Sequence, residues 1–176
     1  MMLFKRIWRL LFRLPVVVFA GFFVQSVTAC AQKTEKEFHD MLDNRFSYGV
    51  PLIKVDSLQK LHDVVLLDTR EKEEHEVSHI KGAIWVGYDE FQIEKLAGIS
   101  KDAFIVTYCS VGYRSNKIGE KLKKTGYSNV HNLYGSIFEW VNKGYPVYNS
   151  SGEETMQVHT YNFSWSKWLL RGEKVY

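Results

Sequence analysis

Apolar residues after position 50 form short continuous runs that alternate with amphipathic segments. The two strongest runs, residues 64–67 and 103–108, are typical of strands buried on both faces of a sheet. Weaker strand patterns fall at residues 51–55, 83–86 and 130–133, and helical patterns at residues 56–61, 71–77, 90–96, 115–124 and 137–143. This alternation with short connections predicts an α/β fold: a parallel sheet of five strands flanked by helices on both faces.

Local signals set the ends of the predicted helices. Asp56 followed three positions later by Gln59 has the spacing of a capping box, so we place one helix start there. Gly126 and Gly144 follow the helical patterns at residues 115–124 and 137–143 and are expected to end them.

Both flanks of this region carry patterns of their own. Residues 33–46 have the spacing of a short amphipathic helix, which defines a tether and helix at residues 30–47, a central domain at residues 48–149 and an extension at residues 150–176. In the extension, Trp165, Trp168 and Leu169 fit one helical face. Packing against the domain is one interpretation, and docking to a partner or a membrane surface is the other.

Residues 1–29 have the layout of a secretory signal, with basic residues first and an apolar run of 11 residues at positions 14–24. Crossing a bilayer as a helix takes about 20 residues, so a permanent span is the weaker interpretation. Residues 27–30 (VTAC) resemble the bacterial lipobox, which implies lipidation of Cys30 and a place in the cell envelope of a bacterium, anchored and facing the periplasm or the exterior. A plain signal that leaves Cys30 free is the alternative.

The composition of the chain fits an ordinary folded domain. The 176 residues are 45% hydrophobic and 24% charged, which excludes a disordered tail and a low-complexity repeat. The formal net charge is +3, but four basic residues and no acid precede Cys30, so the rest of the chain is slightly acidic. A nucleic-acid-binding surface therefore has little support.

Cys109 follows the second strong strand and precedes a loop and a helix. In residues 109–115 (CSVGYRS), Gly112 allows the loop to curl so that backbone N–H groups face the sulfur, and Arg114 adds a positive charge. Such surroundings lower a thiol pKa, so we expect Cys109 to be an ionised nucleophile that is open to solvent. An inert core cysteine is the alternative.

The length of this loop bears on the reaction. Cysteine-dependent phosphatases have a Cys-x5-Arg loop, whereas Arg114 comes one residue earlier here and Ser115 follows it. The smaller ring of amides suits one extra sulfur atom better than a phosphoryl group, so a phosphatase is a weaker hypothesis.

The chain resembles the single-domain rhodaneses, a family of sulfurtransferases. The resemblance is carried by residues 66–70 (LLDTR), 74–83 (EHEVSHIKGA), 109–115 (CSVGYRS) and 133–136 (LYGS). His75 stands at the family's aromatic position, Ser78 at its first glycine and Ser136 where a second glycine is usual. None of these departures falls within the nucleophile loop, residues 109–115.

The resemblance implies that Cys109 takes a sulfur from a small anionic donor such as thiosulfate and passes it, as a persulfide, to a thiol or cyanide. Arg114 would steer the donor and stabilise negative charge, and no metal or organic cofactor is needed. The N–H groups from Ser110 to Ser115 would hold the persulfide. The pocket and its substrate contacts are assigned to Ser110, Val111, Gly112, Tyr113 and Ser115.

Other polar residues receive structural roles. Asp68, Arg70 and His79 are expected to brace neighbouring loops rather than to react, and His62, His75 and His131 lack metal-ligand spacing. A rhodanese-like module that binds or senses without catalysis remains the alternative function, although the presence of both Cys109 and Arg114 argues against it.

Overall fold

Five short strands form one all-parallel sheet in the order β1-β5-β4-β2-β3. The computed structural model describes residues 34–176. The sheet strands are β1 (Leu52–Ile53), β2 (Val65–Asp68), β3 (Ile84–Trp85), β4 (Ile105–Tyr108) and β5 (Val130–Leu133). The helices are α1 (34–45), α2 (Val55–Leu58), α3 (Lys72–Val77), α4 (Tyr113–Lys124), α5 (Ser136–Asn142) and α6 (Phe163–Ser166). This topology confirms the predicted parallel sheet.

The centre of the sheet is β4, whose four residues are all buried. On one face, Ile118 and Leu122 of α4 pack with Leu67 and Ile105 in a hydrophobic core. Because side chains alternate along a strand, Tyr108 points to the opposite face, and it is fully buried as well. Both faces are therefore covered, which explains why the strong strands are continuously apolar.

The first helix of the domain begins earlier than Asp56. Helix α2 starts at Val55, its N-cap position is Lys54, and no side-chain bond caps it. The expected capping box at Asp56 is therefore wrong. Val55 is 1% exposed. Packing of its side chain in the core therefore favours a helix that begins at Val55 over the start at Asp56 that the local sequence predicts.

The expected helix at residues 90–96 is also wrong. The structure has a 3₁₀ turn, Ile93–Leu96, in which Leu96 is the buried residue. With a single anchoring side chain, packing does not stabilise a longer helix.

The N-terminal helix lies where the amphipathic pattern places it, at residues 34–45. The chain divides into two units after Asn44, and the second unit runs from Arg45 to Tyr176. The predicted signal and Cys30 lie outside the described residues. Within residues 34–176, no helix has the length and apolar character needed to cross a membrane.

The C-terminal extension folds onto the domain. Strand β6 (Val147–Tyr148) pairs with β7 (Glu154–Thr155), and β8 (Gln157–His159) pairs with β9 (Glu173–Val175). Val158 and Leu169 are buried at 0% and 1% exposure, and Asn142 of α5 accepts a hydrogen bond from the Leu170 N–H over 2.7 Å. The extension is thus packed against the domain, which is the first of the two interpretations of its aromatic pattern. The single helical face does not form, since α6 ends at Ser166.

Candidate active site

Cys109 lies directly after β4, in a loop whose backbone is held by the start of α5. The Cys109 and Ser110 carbonyls accept hydrogen bonds from the N–H groups of Ile137 and Phe138, at 3.1 and 3.2 Å. The Cys109 N–H donates to the Ser136 hydroxyl over 3.1 Å. The two carbonyls and the Cys109 amide are therefore all bonded to helix α5. The later amides of the loop can then face the sulfur.

The Cys109 sulfur accepts a hydrogen bond from the Gly112 N–H over 3.1 Å. Burial alone raises the pKa of the thiol. The Arg114 charge and the N–H groups of Ser115 and Gly112 more than offset this, so the pKa of Cys109 lies below its ordinary value. The thiolate expected from the loop sequence therefore has a physical basis in the folded protein.

Gly112 makes this loop possible through its backbone conformation. Its φ of 113° lies in the left-handed region, where residues with a Cβ are strained, and it is the N-cap of α4. The Asn132 side chain makes two hydrogen bonds to this loop. Its Nδ2 donates to the Gly112 carbonyl over 2.9 Å, and its Oδ1 accepts from the Ser115 hydroxyl over 2.6 Å. Asn132 of β5 thus supports the loop from below, a role that sequence reasoning missed.

The thiol is more enclosed than its loop sequence predicts. We expected Cys109 to be open to solvent, but the residue is 1% exposed and lies in the wall of a cavity of about 540 Å³. That expectation was based on the loop sequence alone, whereas in the fold aromatic residues from other segments of the chain surround the loop. The route from solvent to the sulfur is therefore through this cavity.

Arg114 forms a two-pronged ion pair with Glu74. Its Nη1 lies 2.6 Å from Glu74 Oε2 and its Nη2 lies 2.8 Å from Glu74 Oε1, while Nη2 also donates to the Ser110 hydroxyl over 3.0 Å. The Tyr161 ring covers the guanidinium, with 4.9 Å between Arg114 Cζ and the ring centroid. Both terminal nitrogens of the Arg114 guanidinium are therefore hydrogen-bonded to other residues of the protein.

Glu74 is a site residue that sequence reasoning did not single out. It is 2% exposed and accepts a hydrogen bond from the Ser110 hydroxyl over 3.0 Å. Burial raises the pKa of its carboxyl, but the bond and charge of Arg114 outweigh burial and the pKa is lowered. The available signal was the capping box that Glu71 and Glu74 form at the start of α3.

Asp68 and Arg70 form a buried polar cluster beneath the loop. Arg70 Nε and Nη2 donate to the Asp68 carboxylate, and Nη2 also donates to the Ser78 carbonyl over 2.6 Å. The Tyr108 hydroxyl donates to Asp68 Oδ2 over 2.9 Å. Burial raises the pKa of Asp68, but the Arg70 charge and the hydrogen bond from His75 outweigh it, so the pKa is far below its usual range. This geometry is that of a structural brace, and neither residue lines the cavity.

His79 holds the segment after α3 in place. The backbone N–H of His79 donates to the Tyr148 carbonyl over 2.8 Å, and the backbone N–H of Tyr148 donates to the His79 carbonyl over 2.9 Å. The ring stacks on His75 with centroids 4.1 Å apart, and burial lowers the pKa of His79. His75, at the family's aromatic position, keeps a ring here and also bonds Asp68 over 2.9 Å.

Ser136, one of the departures from the family pattern, lies outside the nucleophile loop in sequence but contacts it in the fold. Its hydroxyl accepts the Cys109 N–H and donates to the Leu133 carbonyl over 3.2 Å. Its φ is 53°, in the left-handed region that favours glycine. The hydroxyl thus supplies a contact that glycine lacks, at a position where the backbone conformation itself favours glycine.

The cavity brings together predicted and unpredicted residues. Cys109, Ser110, Val111, Tyr113 and Arg114 line it as expected, whereas Gly112 and Ser115 hold the loop without lining it. The unpredicted lining residues are Arg45, Phe46, Glu71, Tyr88, Asp89, Tyr161 and Trp165. They come from segments far apart in the chain, so no local pattern could group them.

The fold and the loop define an α/β protein with a cysteine of lowered pKa at the carboxyl end of a central parallel strand. A family model described as Rhodanese-like domain matches residues 54–143, half of the chain. The chain belongs to the rhodanese-like family, and this membership supports a sulfur-related function.

Individual comparisons agree with the family. The chain is 29% identical over 106 residues to a tRNA uridine(34) hydroxylase of Onion yellows phytoplasma, covering 57% of this chain and 34% of that protein. The chain thus spans about a third of the length of the curated relatives it matches.

Solved structures show the same fold. A Rhodanese-like domain from Anabaena sp. superposes with a TM-score of 0.53 at 19% identity, over 56% of this chain and 79% of that one. A thiosulfate sulfurtransferase from Pseudomonas aeruginosa gives 0.53 at 19% identity, over 68% of this chain and 23% of that one.

Proposed function

We propose that the protein is a sulfurtransferase that carries a sulfane sulfur as a persulfide on Cys109. The observation that supports this most directly is the 3.1 Å hydrogen bond from the Gly112 N–H to the Cys109 sulfur, in the wall of an open cavity. An inert core cysteine needs neither a lowered pKa nor a cavity.

The reaction needs two exchanges at one sulfur. The Cys109 thiolate attacks the outer sulfur of a donor such as thiosulfate, the S–S bond of the donor breaks, and sulfite leaves with the electron pair. An acceptor thiolate, or cyanide, then attacks the outer sulfur of the persulfide and releases the Cys109 thiolate. No net oxidation occurs, and no base is required because the nucleophile is already ionised.

The neighbouring residues stabilise the anionic states. The Gly112 and Ser115 N–H groups and the Arg114 charge favour the thiolate, and the same groups would hold the persulfide anion. Glu74 holds Arg114 in position.

Mass measurement tests the proposal directly. Incubation of the full chain with thiosulfate, followed by intact-mass analysis, should show one added sulfur that a thiol or cyanide removes. The adduct should be absent in Cys109→Ser and retained in Cys30→Ala, the matched control for the other thiol. Failure to form the adduct, or its persistence in Cys109→Ser, would leave a binding module as the better description.

We also propose that residues 1–29 direct export and that Cys30 carries lipid, so that the domain faces the periplasm or the exterior of a bacterial cell. The support is the order of basic, apolar and lipobox-like residues. Radiolabelled palmitate should be incorporated by the full chain and by Cys109→Ser but not by Cys30→Ala. Equal labelling of all three proteins would refute the anchor.

A further inference from the structure

Two segments outside the family-matched residues 54–143 meet at the mouth of the Cys109 cavity. Phe46 comes from the N-terminal side and Trp165 from the C-terminal side, and their rings stack with centroids 6.4 Å apart and 26° between planes. Arg45 lies over the Trp165 ring at 5.3 Å, and Phe46 also contacts the Tyr113 ring at 5.8 Å. Both flanking segments of this chain therefore contribute to the outer wall of the cavity.

This wall is aromatic and partly exposed. Phe46, Tyr88, Tyr113, Tyr161 and Trp165 all line the cavity, and Tyr113 and Tyr161 are 50% and 52% exposed. A cavity of about 540 Å³ is of the size that holds an organic molecule, far more than an inorganic sulfur anion needs. Half-exposed rings around such a cavity favour a ligand that carries a ring of its own, because stacking buries them.

The charges in the cavity wall do not favour a carboxylate group on the acceptor. Arg45 and Arg114 are its cations, and Glu71 and Asp89 are acids in the same wall. Arg114 is also neutralised by Glu74 through the ion pair described above. Arg45 is then the one cation in the described wall that Glu74 does not neutralise, and two acids accompany it, so the wall offers no surplus of positive charge to a carboxylate on an acceptor.

We propose that the preferred sulfur acceptor is an uncharged thiol carrying an aromatic ring, with the ring against Phe46, Tyr161 and Trp165 and the sulfur at Cys109. This inference rests on the proposed persulfide chemistry. The acceptor releases its thiol proton to solvent, attacks the outer sulfur of the persulfide and becomes a persulfide itself as the Cys109 thiolate leaves. Atoms and electrons balance without a further reactant.

Single-turnover transfer tests the inference. The full chain is charged with thiosulfate, freed of excess donor and mixed with benzyl mercaptan, 2-mercaptoethanol or 3-mercaptopropionate, and loss of the added sulfur is followed by mass. Each rate is divided by the rate of the same thiol with a low-molecular-weight persulfide, which removes differences in intrinsic reactivity. Benzyl mercaptan should exceed 2-mercaptoethanol by roughly tenfold, the effect of one good ring contact, and 3-mercaptopropionate should be slowest.

Substitutions in the cavity wall test which residues cause the preference for an aromatic thiol. In Trp165→Ala and Phe46→Ala, the ratio of the benzyl mercaptan rate to the 2-mercaptoethanol rate should fall toward one. Phe163→Ala is the matched control, since Phe163 belongs to the same segment, is 81% exposed and does not line the cavity. Sulfur loading by thiosulfate shows that each variant has kept its site.

The outcomes separate this inference from the function on which it rests. Normal loading with equal corrected rates for the three thiols, or with the carboxylate thiol fastest, would overturn the acceptor class and leave the sulfurtransferase intact. Absence of loading in the parent chain would overturn both.

Discussion

At the scale of single residues, the chemistry of this protein depends on three neighbouring side chains, Cys109, Arg114 and Glu74. Arg114 acts on Cys109 through its charge, but its own position depends on Glu74, whose side chain is 2% exposed. A buried ion pair of this kind adds modest net stability, yet removing one partner leaves the other charge uncompensated. Glu74 is thus the residue on which both the stability and the electrostatics of the loop depend.

Replacement of Glu74 by glutamine should destabilise the protein. We expect a loss of about 3 kcal/mol in the free energy of unfolding at neutral pH, because Arg114 then loses its buried partner and keeps only the longer contact with Glu71, 3.7 Å from Nη1. Urea denaturation measures this, and Glu73→Gln, an exposed neighbour on α3, is the matched control with little expected change.

The same pair predicts a pH dependence. Because the pKa of Glu74 is lowered from its ordinary value of about 4.5, its contribution is fully present above pH 4.5 and is lost as the pH falls through the lowered value. Glu74→Gln should therefore lose less stability than the parent between neutral and acidic pH. Parallel acid-unfolding curves for the two proteins would contradict this assignment.

Among the elements, the junction of β4 and α4 has the greatest influence on function. The strand delivers Cys109 to the edge of the sheet, and Gly112 turns the chain so that α4 begins one residue later, at Tyr113. Helix α5 completes the arrangement, since its first N–H groups hold the Cys109 and Ser110 carbonyls. The direction of the loop amides is thus a joint property of one strand and two helices.

Gly112→Ala should raise the pKa of the Cys109 thiol. The left-handed backbone at φ 113° is strained by a Cβ, by roughly 1–2 kcal/mol, and relief of that strain moves the N–H away from the sulfur. The pH midpoint of Cys109 alkylation by iodoacetamide, followed on the Cys109 peptide, should shift upward.

Gly126→Ala is the control for backbone strain alone. Its φ of 94° is also left-handed, it follows α4 at the opposite end, and nothing lies within 4 Å of an added Cβ. It should lose similar stability and keep the alkylation midpoint of the parent. An equal shift in both variants would mean that the Gly112 amide does not control the thiol.

For the whole molecule, the C-terminal extension forms one unit with the domain. Leu169 and Val158 are buried, Asn142 of α5 bonds the segment, and Tyr161 and Trp165 reach the cavity. Residues outside the family-matched region therefore contribute both to the packing of this unit and to the wall of the Cys109 cavity.

Leu169→Ala should destabilise the entire unit. Deleting a fully buried leucine side chain costs about 2–5 kcal/mol, and the loss should appear in a single unfolding transition if the extension and the sheet unfold together. Leu170→Ala, at 38% exposure, is the adjacent control and should change stability little. A separate early transition in Leu169→Ala, with the main transition unchanged, would show that the extension unfolds independently.

The sequence by itself determined the parallel α/β sheet, the position of Cys109 after its central strand and the glycine-containing loop that follows. These features are local: a buried strand must be apolar, and a tight turn before a helix needs a residue free to adopt positive φ. Only the tertiary structure decided that Glu74 pairs with Arg114 across 40 positions, that Ser136 holds the Cys109 amide across 27, and that Phe46 and Trp165 close the cavity. No periodic pattern or short motif in the sequence indicates such contacts, because they depend on how separate elements pack in space.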